Sequence, residues 1–273
     1  MEIFSADRLS EQMGLCKIIR VVAAGDNAVV VTVIMNGHTE PLALKIITNG
    51  AGQGDILKET NIQIYASENG IAPRVFGYTS NIWEYITNRE VLERTLAKFF
   101  PKKTRSNPKP EPAPLQGIVM QIIQPIWFGG PNRNTITELH QQQLVSKTWR
   151  MVQLGIIHND LHQGNVGILN GEACIYDFGE AEIINVQSVP LPPVVMRQLL
   201  VSQLYSLLTR EGCNHNNNID LCGDNMPIHD AIYFVKSHTN DDLTLLNNMI
   251  KNVDINPPVA TFNTYTVMKK NNK

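Results

Sequence analysis

Four polar residues, one in the first third of the chain and three close together in the second half, carry the combination of groups that phosphate chemistry needs. Lys45 stands in an apolar run, Asp160 and Asn165 share one polar loop, and Asp177 follows a pair of short apolar runs. Moving a phosphoryl group asks for little covalent chemistry from a protein, but cations and acids must converge to position the phosphates and neutralise their charge. These residues are therefore the candidates for a phosphoryl-transfer site.

The motifs around these residues resemble those of the protein-kinase-like superfamily. LALK at 42–45 stands where kinases have V-A-I-K, HNDLHQGN at 158–165 matches H-R-D-L-x-x-x-N, and residues 177–179 are D-F-G as written. Each motif alone can occur by chance, whereas their order and spacing are specific. The resemblance covers residues 16–182. It implies an α+β, bilobal protein-kinase-like fold, with an antiparallel sheet and one helix in the first lobe and a mainly helical, reduced second lobe.

The resemblance also implies a role for each polar residue. Lys45 would hold the α- and β-phosphates of ATP and pair with a glutamate of the next helix. Asp177 would bind a magnesium ion that bridges the phosphates, and Asn165 a second one. Asp160 would orient the attacking hydroxyl and accept its proton. The implied cofactors are thus ATP and Mg²⁺ or Mn²⁺.

The same resemblance divides the chain into two domains. Residues 1–124 would form the nucleotide-binding lobe, and residues 125–273 the lobe with the catalytic loop. Residues 88–114 are interpreted as an insertion in the first lobe, because an amphipathic piece (REVLERTLAKFF) is followed by a stretch with five prolines and few apolar residues.

Two glutamates are candidates for the partner of Lys45. Near-helical spacing predicts one helix from Gly54 to Asn69, which contains Glu59 and Glu68. Glu59 lies near the start of this helix, whereas Glu68 lies beside the stop signal Asn69-Gly70. Glu59 is therefore preferred.

The glycine loop departs from the kinase pattern. Kinases have G-x-G-x-x-G between the first two strands, whereas residues 23–28 read AAGDNA and keep only Gly25. The extra methyl group of alanine restricts the approach of backbone N–H groups to phosphate. Asp26 adds a negative charge at the same place. This loop is the strongest argument in the sequence for a non-catalytic relative.

The strand GIVMQIIQP resembles the kinase strand that ends in the hinge. Met120 would occupy the gatekeeper position, and the backbones of Gln121 and Ile123 would meet the adenine base. The apolar side chains expected above the base are those of Val22, Val30 and Ala43.

Two further residues of the catalytic loop, His162 and Asn159, differ from the common kinase pattern, whereas His158 keeps it. His162 stands where many serine/threonine kinases have lysine, as in haspin-like, RIO-like and aminoglycoside or choline kinase-like loops, and would help to neutralise phosphate or hydrogen-bond within the loop. His158 is expected to pack beneath the loop. Asn159 replaces the arginine that usually contacts a phosphorylated activation loop, so activation by that switch is not expected.

The remaining elements follow from periodicity and turn signals. Residues 16–48 predict three strands of an antiparallel meander, RVFGYTS and NIWEYIT a further strand pair or one interrupted strand, and the run after residue 114 another strand. Helices are predicted at 135–154, 192–212 and 241–253, with Thr135 or Thr137 as the N-cap of the first one. An Asn-rich loop precedes the last helix, and the tail from residue 256 is expected to be poorly ordered.

Composition places the chain among folded globular proteins. It has 273 residues, 43% hydrophobic and 18% charged, and a formal net charge of −2, which argues against a nucleic-acid-coating protein. The four cysteines show no CxxC spacing, and no apolar stretch reaches membrane-spanning length. An intracellular, cytoplasmic location without nucleic-acid or membrane partners is therefore expected.

The phosphate acceptor is the open question. No A-P-E motif follows Asp177, and the segment that presents a peptide in kinases is short. The first hypothesis is an atypical serine/threonine protein kinase, because all five polar groups are present. The alternatives are a small-molecule kinase of the aminoglycoside or choline type, and a pseudokinase that serves as a binding module.

Overall fold

The computed structural model describes residues 13–25, 28–48, 54–100, 115–125 and 137–184, together with six helical residues between 196 and 207. The chain divides into two compact units. The first unit contains residues 1–68 and 72–123, and the second contains residues 69–71 and 124–273. The described part of the chain is α+β with antiparallel sheets, as the sequence predicted.

The first unit is built on a five-stranded antiparallel sheet with the order β1-β2-β3-β5-β4. Its elements are β1 (Cys16–Ala24), β2 (Ala28–Met35), β3 (Leu42–Ile47), α1 (Gly54–Glu68), β4 (Val75–Thr79), α2 (Arg89–Phe99) and β5 (Gln116–Met120). The predicted meander, the helix after it and the strand at residues 75–79 are confirmed, and the amphipathic piece after residue 88 is a helix. β5 lies between β3 and β4, so its pairing joins residues that are distant in the chain.

Side-chain alternation gives this sheet two different faces. On β3, Leu42, Leu44 and Ile46 belong to one buried apolar cluster, which also includes Leu92 of α2. Ala43 belongs to a second cluster, which contains Ile56 of α1. Because successive side chains of a strand point to opposite faces, Lys45 lies on the face that α1 covers.

The segment between β4 and α2 corrects the sequence-based prediction. NIWEYIT was expected to be a strand, but Ile82–Glu84 is a 3₁₀ helix, and the N–H of Ile86 donates to the carbonyl of Ile82 at 3.2 Å. Ile82 and Ile86 are both buried in the same cluster. Two core side chains one helical turn apart favour a helical turn over an alternating strand.

The same segment covers part of the exposed edge of β1. The N–H of Cys16 donates to the carbonyl of Tyr85 at 2.7 Å, and the N–H of Thr87 donates back to the carbonyl of Cys16 at 2.9 Å. The Asn88 amide then bonds both backbone groups of Ile18, at 2.9 Å each. These bonds satisfy edge groups that would otherwise be open to another chain.

In the described part of the second unit, one long helix packs against short antiparallel strands. Its elements are β6 (Gln124–Pro125), α3 (Glu138–Gln153), β7 (Ile156–Ile157), a 3₁₀ helix (Gln163–Asn165), β8 (Val166–Leu169), β9 (Glu172–Ile175) and β10 (Glu182–Ile183). Thr137 is the N-cap of α3, and its hydroxyl accepts from the N–H of His140 at 3.2 Å. The same histidine bonds the carbonyl of Gly171 at 3.2 Å, which ties the start of α3 to the β8–β9 turn.

The β8–β9 hairpin has the shortest common type of connection. Its turn is Asn170-Gly171, with φ of 53° and 84°. Positive φ at both central residues is the geometry for which Asn-Gly pairs are selected in two-residue hairpins. The turn fixes the pairing of Val166 with Ile175, so the two strands end together.

Several predictions fall on other parts of the chain. The six described residues between 196 and 207 are helical, whereas the bounds of that helix, the Asn-rich loop, the last helix and the Pro-rich part of the insertion lie outside the described residues. Within the described residues, no helix combines the length and the apolar character that a membrane span requires.

Candidate functional site

Lys45 and Glu59 form an ion pair inside the first unit. The Lys45 Nζ atom lies 2.7 Å from Glu59 Oε1, and the two side chains are 13% and 4% exposed. β3 provides the lysine and the second turn of α1 provides the glutamate. Of the two glutamates that the sequence offered, the structure thus brings Glu59 to the lysine. A short, shielded bond of this kind holds the ammonium group in one place.

Three of the predicted base-binding residues, Val30, Ala43 and Met120, lie on the face of the sheet that α1 covers. Met120 pairs with Ala43 across β3 and β5. Both residues belong to the second buried cluster, which also contains Ile56 of α1 and is called the α1-side cluster below. Behind Met120, the buried Gln63 amide donates to its sulfur at 3.3 Å. The N–H of Gln121 donates to the carbonyl of Arg74 at 3.0 Å and is therefore used within the protein.

The other residues assigned to nucleotide binding differ in burial. Val30 is half-buried against the α1-side cluster, whereas Val22 lies at a register shift of β1 and is 49% exposed. The N–H of Gly25 donates to the carbonyl of Ala28 at 2.9 Å and closes the β1–β2 connection. Ile123 is at the end of the first unit, and Asp26 lies outside the described residues.

Asp160 and Asn165 are joined within the loop at residues 158–165 of the second unit. The Nδ2 atom of Asn165 donates to the backbone carbonyl of Asp160 at 2.8 Å and to its carboxylate at 3.2 Å. Asn165 is buried, whereas the Asp160 side chain is 38% exposed. The amide nitrogen is thus committed to Asp160, and the amide oxygen is the atom of Asn165 suited to a cation.

The hairpin brings Asp177 close to this loop. The N–H of Tyr176 donates to the carbonyl of Asn165 at 2.9 Å, which extends the β8–β9 ladder by one pair and places Asp177 next in the chain. Asp177 has a φ of 66°, a left-handed conformation that aspartate tolerates better than most residues. Its charge also contributes to the raised pKa of His162. Asp160, His162, Asn165 and Asp177 therefore converge in the second unit.

His162 is held between the loop backbone and Asp160. Its Nδ1 accepts from the N–H of Gly164 at 2.9 Å, so the neutral ring carries its proton on Nε2. Nε2 lies 3.6 Å from Asp160 Oδ2, too far for a hydrogen bond but close enough for a charge interaction. The Asp160 carboxylate raises the pKa of His162, and burial opposes this shift. Of the two predicted roles, this geometry favours hydrogen bonding within the loop.

His158 is fully buried beneath the loop, as the sequence predicted. Its Nε2 lies 3.0 Å from the carbonyl of Tyr176, and its ring packs against the buried Phe178 with centroids 4.9 Å apart. Burial lowers the pKa of His158, so the ring stays neutral and donates from Nε2. His158 therefore supports the backbone on the N-terminal side of Asp177.

Gly164 is a position where the sequence motif has a steric reason. A Cβ atom added there would lie 2.6 Å from Cε1 and 2.9 Å from Nδ1 of His162. Gly164→Ala is therefore expected to displace the imidazole and break its bond to the backbone, at a cost of about 1 kcal/mol. Chemical denaturation of Gly164→Ala, His162→Ala and the double variant measures this. If the collision is the cause, the alanine at 164 costs much less stability once the imidazole is gone; equal costs in both backgrounds would contradict it.

Two contributors to this site were not assigned by the sequence analysis. The Tyr176 hydroxyl donates to the carbonyl of Gly164 at 2.5 Å, and burial raises the pKa of this phenol. The Asn159 amide donates to the carbonyl of Glu180 at 3.0 Å. Both partners are backbone carbonyls, which leave no signature in a sequence.

The cysteines in the described region are inert. Cys16 and Cys174 lie in β1 and β9, and burial raises the pKa of each thiol to about 12. Neither thiolate is available as a nucleophile near neutral pH. Among the described residues, no group of three or more His, Cys, Asp and Glu could hold a metal. The side chains of Asn165 and Asp177 carry oxygen donors, the ligand type that magnesium prefers.

No protein-family model matches this chain, and no curated protein shows significant similarity to it.

Proposed function

We propose that this chain is an ATP-dependent phosphotransferase with a bilobal protein-kinase-like fold, acting on a protein serine or threonine hydroxyl. The observation that carries the proposal is that Asp160, Asn165 and Asp177 converge in the second unit. They lie on the loop of residues 158–165 and directly after the β8–β9 hairpin, in the same chain order as in the kinase motifs. The ion pair between Lys45 and Glu59 supports it from the first unit.

Each residue of the proposed site has a task that its geometry suits. Lys45, held by Glu59 at 2.7 Å, would bind the α- and β-phosphate oxygens. Asn165 and Asp177 would hold magnesium, which would supply positive charge to neutralise the phosphates. Asp160 is exposed enough to reach a substrate and is oriented by the Asn165 amide.

The reaction would be a single displacement at phosphorus. The acceptor oxygen forms a bond to the γ-phosphorus while the bond from that phosphorus to the leaving oxygen of ADP breaks. The proton of the acceptor hydroxyl goes to the Asp160 carboxylate. Positioning and charge neutralisation, rather than a covalent protein intermediate, would supply the rate enhancement.

Binding of nucleotide gives the first test. Mg-ATP should raise the thermal unfolding midpoint, because a ligand that binds only the native state adds RT ln(1 + [L]/Kd), about 2.7 kcal/mol at a hundred times Kd. The measurement is a thermal-shift titration with Mg-ATP, with Mg²⁺ alone and ATP with EDTA as controls. No shift at millimolar Mg-ATP would favour the pseudokinase alternative, for which the altered glycine loop is the supporting observation.

Transfer to an acceptor separates the two enzyme hypotheses. The purified chain is incubated with labelled ATP and either a general protein substrate or sugar, choline and aminoglycoside alcohols. Label on protein supports the proposal, whereas label only on a small alcohol supports the small-molecule kinase.

A further inference from the structure

Asn159 and Asp177 share an uncommon backbone conformation. Among the described residues other than glycine, positive φ occurs at Asn159 (62°), Asn170 (53°) and Asp177 (66°). Asn170 belongs to a hairpin turn that requires this geometry. Asn159 and Asp177 lie in or beside two segments, residues 155–159 and 180–184, that are hydrogen-bonded to each other.

Backbone pairing joins these two segments. Ile157 pairs with Glu182, Ile156 pairs with Ile183, and the N–H of Ile184 donates to the carbonyl of Gly155 at 2.7 Å. In this antiparallel register, each step forward from β7 is matched by one step back from β10. Residue 159 therefore corresponds to residue 180.

At that position the bond comes from a side chain. The left-handed turn takes the backbone of Asn159 out of an extended conformation, and its Nδ2 donates to the carbonyl of Glu180 at 3.0 Å. The Asn159 amide thus continues the ladder by one step beyond the paired strands. Asparagine can do both, since it tolerates positive φ and carries a donor on a short side chain.

The bond closes a short segment around Asp177. On one side, His158 holds the carbonyl of Tyr176 at 3.0 Å, and on the other side Asn159 holds that of Glu180. Between them, Phe178 is fully buried against the His158 ring. Asp177 is therefore fixed from both ends by two neighbouring residues of the catalytic loop.

We propose that Asn159 is a positioning residue, which holds residues 177–180 in the conformation that Asp177 needs to bind metal. The metal part of this inference rests on the proposed function, whereas the bond to Glu180 and its effect on the segment do not.

Three variants of the full chain separate the two properties of Asn159. Asn159→Gly keeps the positive φ and removes the amide, and Asn159→Ala removes the amide and also disfavours the backbone conformation. Asn170→Gly is the control, because it makes the same change at a similar φ in the hairpin turn. Amide hydrogen exchange of residues 178–184 is expected to accelerate in Asn159→Gly, further in Asn159→Ala, and not in Asn170→Gly.

Manganese binding measures the consequence for Asp177. Electron paramagnetic resonance of Mn²⁺, titrated in the presence of a non-hydrolysable ATP analogue, should show about tenfold weaker binding in Asn159→Gly, the size expected for loss of one hydrogen bond. Asn170→Gly should bind as the wild type does.

The outcomes are distinguishable. Unchanged exchange in Asn159→Gly would overturn the proposed bond, and faster exchange with unchanged Mn²⁺ binding would overturn its link to Asp177. A wild-type chain that binds no nucleotide would refute the proposed function and, with it, the metal part of this inference. The exchange experiment would still decide whether Asn159 holds the segment.

Discussion

Asp177→Asn is expected to lower phosphoryl transfer by about a thousandfold or more, with the fold intact. The substitution removes the carboxylate charge that the proposed site needs to hold magnesium against the phosphates. Asparagine tolerates a φ of 66° as well as aspartate does, so the substitution keeps the backbone preference of this position. The measurement is the initial rate of transfer from labelled ATP at saturating substrate, together with the thermal unfolding midpoint.

Glu180→Gln is the matched control for Asp177→Asn. It removes a carboxylate from the same short segment. The bond to Asn159 is kept, because the backbone carbonyl of Glu180 accepts it and the side chain takes no part. Its transfer rate should stay within a few-fold of wild type. Wild-type turnover in Asp177→Asn would show that the metal role is assigned to the wrong residue.

Lys45→Met is expected to have the second large effect, and to act on stability as well as on activity. Transfer should fall by about a thousandfold, because the phosphates lose their fixed cation. The same change removes the lysine from a glutamate that is only 4% exposed. Breaking a buried ion pair by removing one partner costs about 3–5 kcal/mol, so the unfolding free energy should drop measurably.

A double-mutant cycle separates these two effects. Lys45→Met/Glu59→Gln should regain part of the lost stability, since no buried carboxylate is left without its lysine, while transfer stays at the level of Lys45→Met. Lys58→Met, at an exposed position beside Glu59 on α1, is the control for loss of a lysine and should leave rate and stability nearly unchanged. Transfer near the wild-type rate in Lys45→Met would refute its proposed role.

The contacts of the second unit's site could be predicted to the extent that they are local. Asp160, His162 and Asn165 lie within one octapeptide, and a two-residue Asn-Gly turn returns the chain to Asp177. Short motifs and tight turns fix the relative position of such residues from sequence alone. The contact of Asn159 with Glu180 was missed because its acceptor is a backbone carbonyl in another segment.

In the first unit, local patterns predicted the elements but not their arrangement. Lys45 and Glu59 could be paired in advance, because a strand and the helix directly after it carry them. The position of β5 between β3 and β4 could not be predicted. These pairings span residues 88–114, and no residue type specifies them. At Ile82, β-branched and aromatic residues favoured a strand, whereas the packing of Ile82 and Ile86 in one cluster selected a helical turn.

The β8–β9 hairpin also limits how the chain length can vary during evolution. Asn165 immediately precedes β8, Tyr176 immediately follows β9, and the turn between the strands has two residues. Gain or loss of one residue within either strand would move every side chain beyond it to the opposite face of the sheet. Asn165 and Asp177 would then no longer lie close together. Lineages that keep both groups should therefore place length changes in the turn, or add residues to both strands together.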